Sequence, residues 1–445
     1  MKKIYLSAPG LICCAGRNRD ELYESCISGN QSGITMRELT DARKFPTGQI
    51  QGKINHKTAS DTIKPTPATP GMLRYPRGEI QPTPACAGAQ VDNNMISEEF
   101  LLEGGRIKPR ITQIIDTALE QIAPEIEKTI LEYGPEKIGV CFGSCDNGSE
   151  NSLKAHKEFF AKGTFPQDYD LRLQSASFPA ESIANKFNIK GPVMTIATAC
   201  ASGASAIIRG AELIRSGQCS AVLAGGADIV SETVLMGFLA LEALSDELTN
   251  PFSKNRKGIN LGEGAAFFLL DTKNTSGIEL LGYGESADAY HITAPGPDGA
   301  GPAKAMNNAL GSAGIDPSQV DYVNFHGTGT LLNDKAEALA MKLVFNDFAV
   351  PASSTKSITG HTLGAAGALE AAICWMALRE RKGLPLHCWD NEKDEELVFQ
   401  PYIPNHAEPS ICMSNSFAFG GCNVSLILGN SNRRNERNRD NRRIN

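Results

Sequence analysis

Apolar positions along this chain follow two rhythms that take turns. Short continuous apolar runs read as buried strands: 3–8, 137–141, 193–197, 221–226 and 264–270. Between them, apolar residues recur at helical spacing. Ile114, Ile115, Leu119, Ile122 and Ile126 predict a helix over 109–132, and further helices are expected at 20–28, 204–214 and 231–246, with Gly217 stopping the one at 204–214. The alternation then starts again. Strands at 278–284 and 320–325, and a strand-like stretch before Lys356, alternate with helices at 302–313, 334–345 and 364–381, and a strand pair at 411–415 and 423–428 closes it. Pro302 suits a first helical turn, and Leu369, Ile373 and Met376 mark one face of the Ala-rich helix. Near-continuous apolar strands alternating with helices imply an α/β fold whose sheet is covered on both faces. Two rounds of the pattern suggest duplicated halves, 1–275 and 276–430.

Two segments break the rhythm. From 44 to 95, Pro65, Pro67, Pro70, Pro76, Pro82 and Pro84 among Thr, Gly and Gln exclude regular helix or inner strand, predicting an extended, surface-lying excursion. Residues 431–445 are Arg- and Asn-rich without an apolar face and are expected to be a disordered tail.

Composition narrows the function classes. The 445 residues are 41% hydrophobic and carry a net charge of −7, which gives no general affinity for nucleic acid or anionic membrane. No apolar stretch approaches the ~18 residues of a membrane span, and the N-terminus reads as a strand rather than a signal peptide. The twelve cysteines show no disulfide framework, and with the seven histidines they form no metal-ligand pattern. No resident metal or cofactor is expected, and a reducing cytoplasm is.

The stretch with the most chemistry is Thr198-Ala199-Cys200-Ala201-Ser202-Gly203, between a strand and a helix. A cysteine at such a turn meets the unpaired N–H groups and positive end of the helix, which lowers a thiol pKa and favours the nucleophilic thiolate. Small neighbours suit a sharp elbow that pushes a nucleophile into a pocket. On this stretch alone, a buried structural cysteine fits equally well.

Three more stretches bear on the choice. Asn324-Phe325-His326-Gly327-Thr328-Gly329-Thr330 puts a histidine, glycines and hydroxyls at the end of a strand, where α/β folds place ligand contacts. Lys356-Ser357-Ile358-Thr359-Gly360-His361 leads into the Ala-rich helix that carries Glu370; a helix N-terminus disfavours an imidazolium and keeps His361 neutral. Asn415-Ser416-Phe417-Ala418-Phe419-Gly420-Gly421-Cys422-Asn423 combines paired glycines with two phenylalanines that could line an apolar channel. Singly, each has an ordinary reading: a satisfied core histidine, an exposed lysine, a tight turn. Together with Cys200 they make chance a poor explanation.

In order and context, Cys200, His326, Lys356 and His361 resemble the Cys-His-Lys-His set of β-ketoacyl-acyl-carrier-protein synthases, in the branch that elongates acyl chains. Pro251-Phe252, Arg256 and Gly262-Glu263-Gly264 match that family's mid-chain signature. Thiolases and initiating synthases differ at the position of His361, having Asn or a second Cys. The resemblance implies a thiolase-like fold, two related halves in a five-layer α-β-α-β-α core, and a decarboxylative Claisen condensation. It further implies that Cys200 takes the acyl chain from acyl carrier protein and that His326 and His361 stabilise the enolate of the malonyl unit. Lys356 paired with Glu370 would fix the geometry, Thr328 and Thr330 would bind the pantetheine arm, and Phe417 would line the pocket. The N–H groups of Cys200 and Phe419 would form the oxyanion hole, with Phe419 as gate. Substrates would arrive on phosphopantetheine, so no separate cofactor is implied.

Ala418 replaces a usual Gly, Cys422 a usual Thr and Leu331 a usual Pro, and the 44–95 excursion has no good counterpart in the family. These departures favour a specialised polyene or polyketide setting of the aryl-polyene type over housekeeping fatty-acid elongation. The expected assembly is a homodimer or a heterodimer with a chain-length-factor-like subunit. The rival reading, a non-catalytic chain-length-determining partner, conflicts with retention of Cys200 and both histidines.

Overall fold

The computed structural model describes residues 2–38, 43–52 and 108–431, except Asn147, Asp168, Asn274, Thr275, Asp347, Arg381, Asn405 and His406. Most of the 44–95 excursion and nearly all of the 431–445 tail lie outside the described residues.

The chain opens with β1 (Tyr5–Leu6), β2 (Gly10–Cys13), α1 (Arg19–Ser28) and a hairpin of β3 (Thr35–Glu38) and β4 (Lys44–Thr47). Helices α2 (Arg110–Glu120) and α3 (Ala123–Tyr133) lead to β5 (Ile138–Gly143), α4 (Ser149–Lys162) and α5 (Phe178–Lys186). Then come β6 (Val193–Ile196), α6 (Ser202–Arg215), β7 (Ala221–Asp228), α7 (Glu232–Ala240) and β8 (Gly264–Asp271). The next round is β9 (Ile278–Ala287), α8 (Ala300–Ala313), β10 (Tyr322–Asn324), α9 (Leu331–Phe345) and β11 (Ala352–Ser353). It ends with the single turn α10 (Lys356–Thr359), α11 (Ala366–Glu380), β12 (Ile411–Phe417) and β13 (Cys422–Asn430).

The strands repeat one topology. One set runs β6-β5-β7-β8-β2 and the other β11-β10-β12-β13-β9, with parallel pairs at β5/β6, β5/β7, β10/β11 and β10/β12 and antiparallel pairs elsewhere. Within each set the chain order across the sheet is the same. β1 joins the sets, because Tyr5 pairs with both Asp271 of β8 and Glu279 of β9.

Helices fill three layers around these two sheets. α6 and α11 pack on each other between them. Small residues allow this: a Cβ on Gly203 would stand 2.8 Å from the Gly364 carbonyl oxygen. Outside one sheet, Ile111, Ile114 and Ile115 of α2 and Ile183 of α5 cover Val140, Phe142 and Phe267. Outside the other, Met306 of α8 and Met341 of α9 cover Val323, Met413 and Ile427. This is the five-layer α-β-α-β-α arrangement.

Local departures from the sequence reading have physical causes. The single helix expected over 109–132 is two, because Pro124 at the start of α3 cannot continue α2. The strand expected at 3–8 is shorter, Tyr5–Leu6 (β1), and β2 at Gly10–Cys13 is a further strand beyond it. The helix expected to reach 246 ends at Ala240. The expected surface excursion begins instead as β4, whose Phe45, Pro46 and Thr47 are buried, with Phe45 packed against Leu235, Ile259 and Leu363.

Candidate active site

Both sheets aim their strand ends at one place. β6 ends at Ile196, and the chain turns through Thr198–Ala201 into α6, with Cys200 in the turn. The Ser202 hydroxyl ties the turn together, donating to the Ala199 carbonyl (2.6 Å) and accepting from the Thr198 N–H (2.9 Å). Ala199 has φ 48°, a left-handed conformation that costs a non-glycine residue on the order of 1 kcal/mol. Gly143, at the end of β5, lets the turn sit tightly: a Cβ there would be 2.4 Å from the Ser202 carbonyl carbon.

His326 follows β10 from the other half. Its N–H and that of Gly327 donate to the two carboxylate oxygens of Glu337 on α9, at 2.9 and 2.7 Å. His361 follows α10 and is held by its backbone, its N–H donating to the Asn260 carbonyl (2.7 Å) and its carbonyl accepting from Gly262 N–H (2.9 Å). Its Nε2 lies 2.9 Å from the Cys200 sulfur. The two imidazoles meet edge to face with centroids 5.3 Å apart. Reacting atoms of Cys200, His326 and His361 all lie within 4.8 Å of one another.

Lys356 lies beneath them, 1% exposed. Its Nζ bonds Glu370, donates to the His326 carbonyl (2.5 Å) and stands 3.4 Å from His326 Nδ1. Burial, then Lys356, pushes both imidazoles well below the usual histidine range, so they are neutral at pH 7. Burial accounts for the neutrality of His361 more than the helix end does.

The thiol runs against the sequence reading. Burial pushes Cys200 up to about 12, against the opposing pull of Lys356 and the Phe419 N–H, so the helix end does not make it anionic at rest. Burial also raises Glu370 to about 7, with Lys356 opposing. A sulfur and two ring nitrogens at this spacing form a donor set that a zinc-like ion could take, but the positive charge of Lys356 beside His326 disfavours one.

A cavity of about 310 Å³ opens onto these groups, lined by Thr328, Thr330, Phe417 and Phe419 as well as Phe238 and Ile259. The Thr328 and Thr330 hydroxyls are 3.0 Å apart. Phe419 stacks on Phe238 at 5.7 Å. Ala418 is extended (φ −98°, ψ 157°), a conformation in which its Cβ costs nothing. The structure thus brings Cys200, His326, His361, Lys356 and Glu370 together beside a cavity that Thr328, Thr330, Phe417 and Phe419 line, while Glu263 of the mid-chain signature pairs instead with Arg110.

Three others were missed. Glu337 seats His326; Asp228 accepts donors from both halves behind Cys200; Asp334 accepts the Phe252 N–H (2.8 Å) and faces Arg256. Lone acids in ordinary strand or helix context carry no spacing signal that could have found them.

Duplicated halves of this topology are the thiolase-like fold, and a buried Cys-His-His cluster sits where their strand ends meet. Family models for the beta-ketoacyl synthase N-terminal and C-terminal domains match residues 84–276 and 278–387. 3-Oxoacyl-[acyl-carrier-protein] synthase 2 of Staphylococcus aureus (strain COL) is 30% identical over 80% of this chain and 91% of its own. Its namesake from Coxiella burnetii (strain RSA 493 / Nine Mile phase I) is 30% identical over 96% and 98%. Among solved structures, a ketosynthase (ApeO) in complex with its chain length factor (ApeC) from Xenorhabdus doucetiae superimposes with a TM-score of 0.79, at 34% identity over 96% of this chain and 98% of that one. The chain belongs to the β-ketoacyl synthase family of condensing acyltransferases.

Proposed function

We propose that this chain condenses a carrier-bound acyl thioester with a malonyl unit, using Cys200 as nucleophile and His326 and His361 as enolate donors. The observation that carries this is the convergence of one sulfur and two neutral imidazoles on the cavity floor. In the first half-reaction the Cys200 sulfur attacks the acyl carbonyl. Its proton passes through water to the departing pantetheine thiolate as that bond breaks, while His361 Nε2, 2.9 Å from the sulfur, keeps its own proton for the second half-reaction. Passing the thiol proton on in this way answers the high thiol pKa, since no free thiolate need accumulate.

The malonyl thioester then enters past Thr328 and Thr330. Lys356 has only donors to offer His326 Nδ1, so that nitrogen accepts and Nε2 carries the proton. His326 and His361 donate to the thioester oxygen while the bond to the carboxylate breaks. CO₂ departs, and its bonding pair becomes the enolate. The enolate carbon attacks the Cys200 thioester. N–H groups of Cys200 and Phe419 stabilise the tetrahedral oxyanion, the C–S bond breaks, and the thiolate regains a proton from water. Each step uses side chains, backbone and the carrier's own arm, without a further cofactor.

The setting we infer is a cytoplasmic polyene or polyketide pathway, with a chain-length-factor-like partner. The identity of 34% to a ketosynthase bound to its chain length factor, against 30% to the synthase 2 relatives, supports the pairing. No disulfide joins the described cysteines, which suits a reducing compartment. The purified chain incubated with acyl- and malonyl-carrier protein tests both parts: 3-oxoacyl-carrier is the expected product. An active, well-behaved homodimer would rule out an obligatory hetero-partner.

A further inference from the structure

Asp228, the last residue of β7, is fully buried, and donors from several segments converge on its carboxylate. The Ser144 hydroxyl donates at 2.7 Å, Cys145 N–H at 2.8 Å and Asp146 N–H at 3.1 Å, all from the loop after β5. The fourth donor is the N–H of Gly364, at 2.6 Å, from the other half of the chain and three residues beyond His361. The same loop is tied to the nucleophile. Ser144 N–H donates to the carbonyl of Ile196, the last residue of the strand before the Cys200 turn (3.2 Å), and the Cys145 side chain meets both Asp228 and Ser202.

We propose that Asp228 is a positioning residue for the condensation, holding the His361 segment of one half at a fixed distance from the Cys200 turn of the other. This inference rests on the division of roles given under Proposed function. The side chain touches neither sulfur nor imidazole, and it acts through the two segments it joins. A carboxylate suits the task because it offers lone pairs only and so accepts four donors, whereas an amide in its place would turn an N–H towards one of them. Each donor left without a partner here stays buried. The charge has a second effect. Together with Glu370 it opposes ionisation of Cys200, while Lys356 favours it. Cys145 and Asp146 are the other titratable groups on the loop it grips.

Asp228→Asn tests this in the full chain. Three quantities are read: malonyl-carrier decarboxylation, acyl uptake by Cys200, and the pH profile of Cys200 alkylation by iodoacetamide mapped by mass spectrometry. The expected result is a fall in decarboxylation kcat of about tenfold or more with little change in KM, since a displaced donor spoils the transition state rather than binding. The Cys200 alkylation profile should shift to lower pH, because a negative charge near the sulfur is gone, while buried Cys26, Cys141 and Cys374 stay protected. Wild-type kcat together with an unshifted profile would overturn the proposal, as would equal loss of acylation and decarboxylation with an unshifted profile. If the buried cysteines also react, the variant has opened up, and Ser144→Ala decides by the same kcat measurement: a smaller fall supports the proposal, and no fall overturns it. Should the wild-type chain itself fail to decarboxylate malonyl-carrier, the condensing assignment fails, and the alkylation profile still judges Asp228.

Discussion

The Cys200 sulfur and Nε2 of His361 stand 2.9 Å apart, and burial makes both neutral, raising the thiol to about 12 and lowering the imidazole well below its usual range. The resting pair is thus a thiol beside an imidazole, not a thiolate beside an imidazolium. Alkylation of Cys200 by iodoacetamide should keep accelerating as pH rises beyond about 8.5, the value for a free thiol. A plateau at or below pH 7 would show a pre-formed thiolate.

Replacing Cys200 with Gln separates the two half-reactions. The variant should lose condensation entirely and still decarboxylate malonyl-carrier, because His326 and His361 are untouched. Radiolabelled CO₂ release and product mass check the two activities. Condensation at the wild-type rate would refute the nucleophile.

His326→Ala is the converse. Loss of one preorganised donor should lower decarboxylation by about 10²–10³-fold, while Cys200 still takes up acyl groups. Failed acylation in a folded variant would overturn the division of roles.

Lys356→Met leaves the Glu370 carboxylate buried without its partner, which should cost about 3–5 kcal/mol in urea unfolding. Lys356→Met combined with Glu370→Gln should regain most of that stability. Decarboxylation should stay low in both, because nothing then holds the proton of His326 on Nε2. Activity that returns with stability would mean that Lys356 serves packing alone.

Stability should fall as pH rises from about 6.5 to 8. Glu337 and Glu370 are raised by burial to about 8 and about 7, above the unfolded value of about 4.3. Acids raised in this way favour folding while protonated, and that contribution is lost as pH climbs through the folded value. The depressed histidines act in the other direction, but their contribution is already complete above about pH 6.5. Each acid still titrating supplies a slope of up to about 1.4 kcal/mol per pH unit. Thermal melts across this window check the sign, and Glu337→Gln should flatten the slope.

Much of this site could be read from the chain because its residues are local signals. Cys200 sits in a run of small residues at a strand-to-helix turn, and His326 and His361 are flanked by glycines. Other features depend on what lies across the fold. Asp228 and Glu337 look like ordinary acids until Gly364 and His326 are placed against them. The thiol pKa escapes the sequence for a related reason: the helix end is visible there, but the burial of the sulfur in the folded chain, which outweighs the opposing pull of Lys356 and the Phe419 N–H, is not. Duplication could be read from the alternating pattern, yet the identical strand order of the two sets needed the register of pairing. Pro124 did announce the break between α2 and α3, but the continuous isoleucine spacing across it masked the signal.

Mass spectrometry of the Cys200 peptide tests the central claim most directly. After incubation with acyl-carrier protein, the acyl mass should appear on Cys200 alone, and it should vanish when malonyl-carrier is added, with 3-oxoacyl-carrier formed in step. An acyl group on another residue, or one on Cys200 that malonyl-carrier does not discharge, would contradict the account.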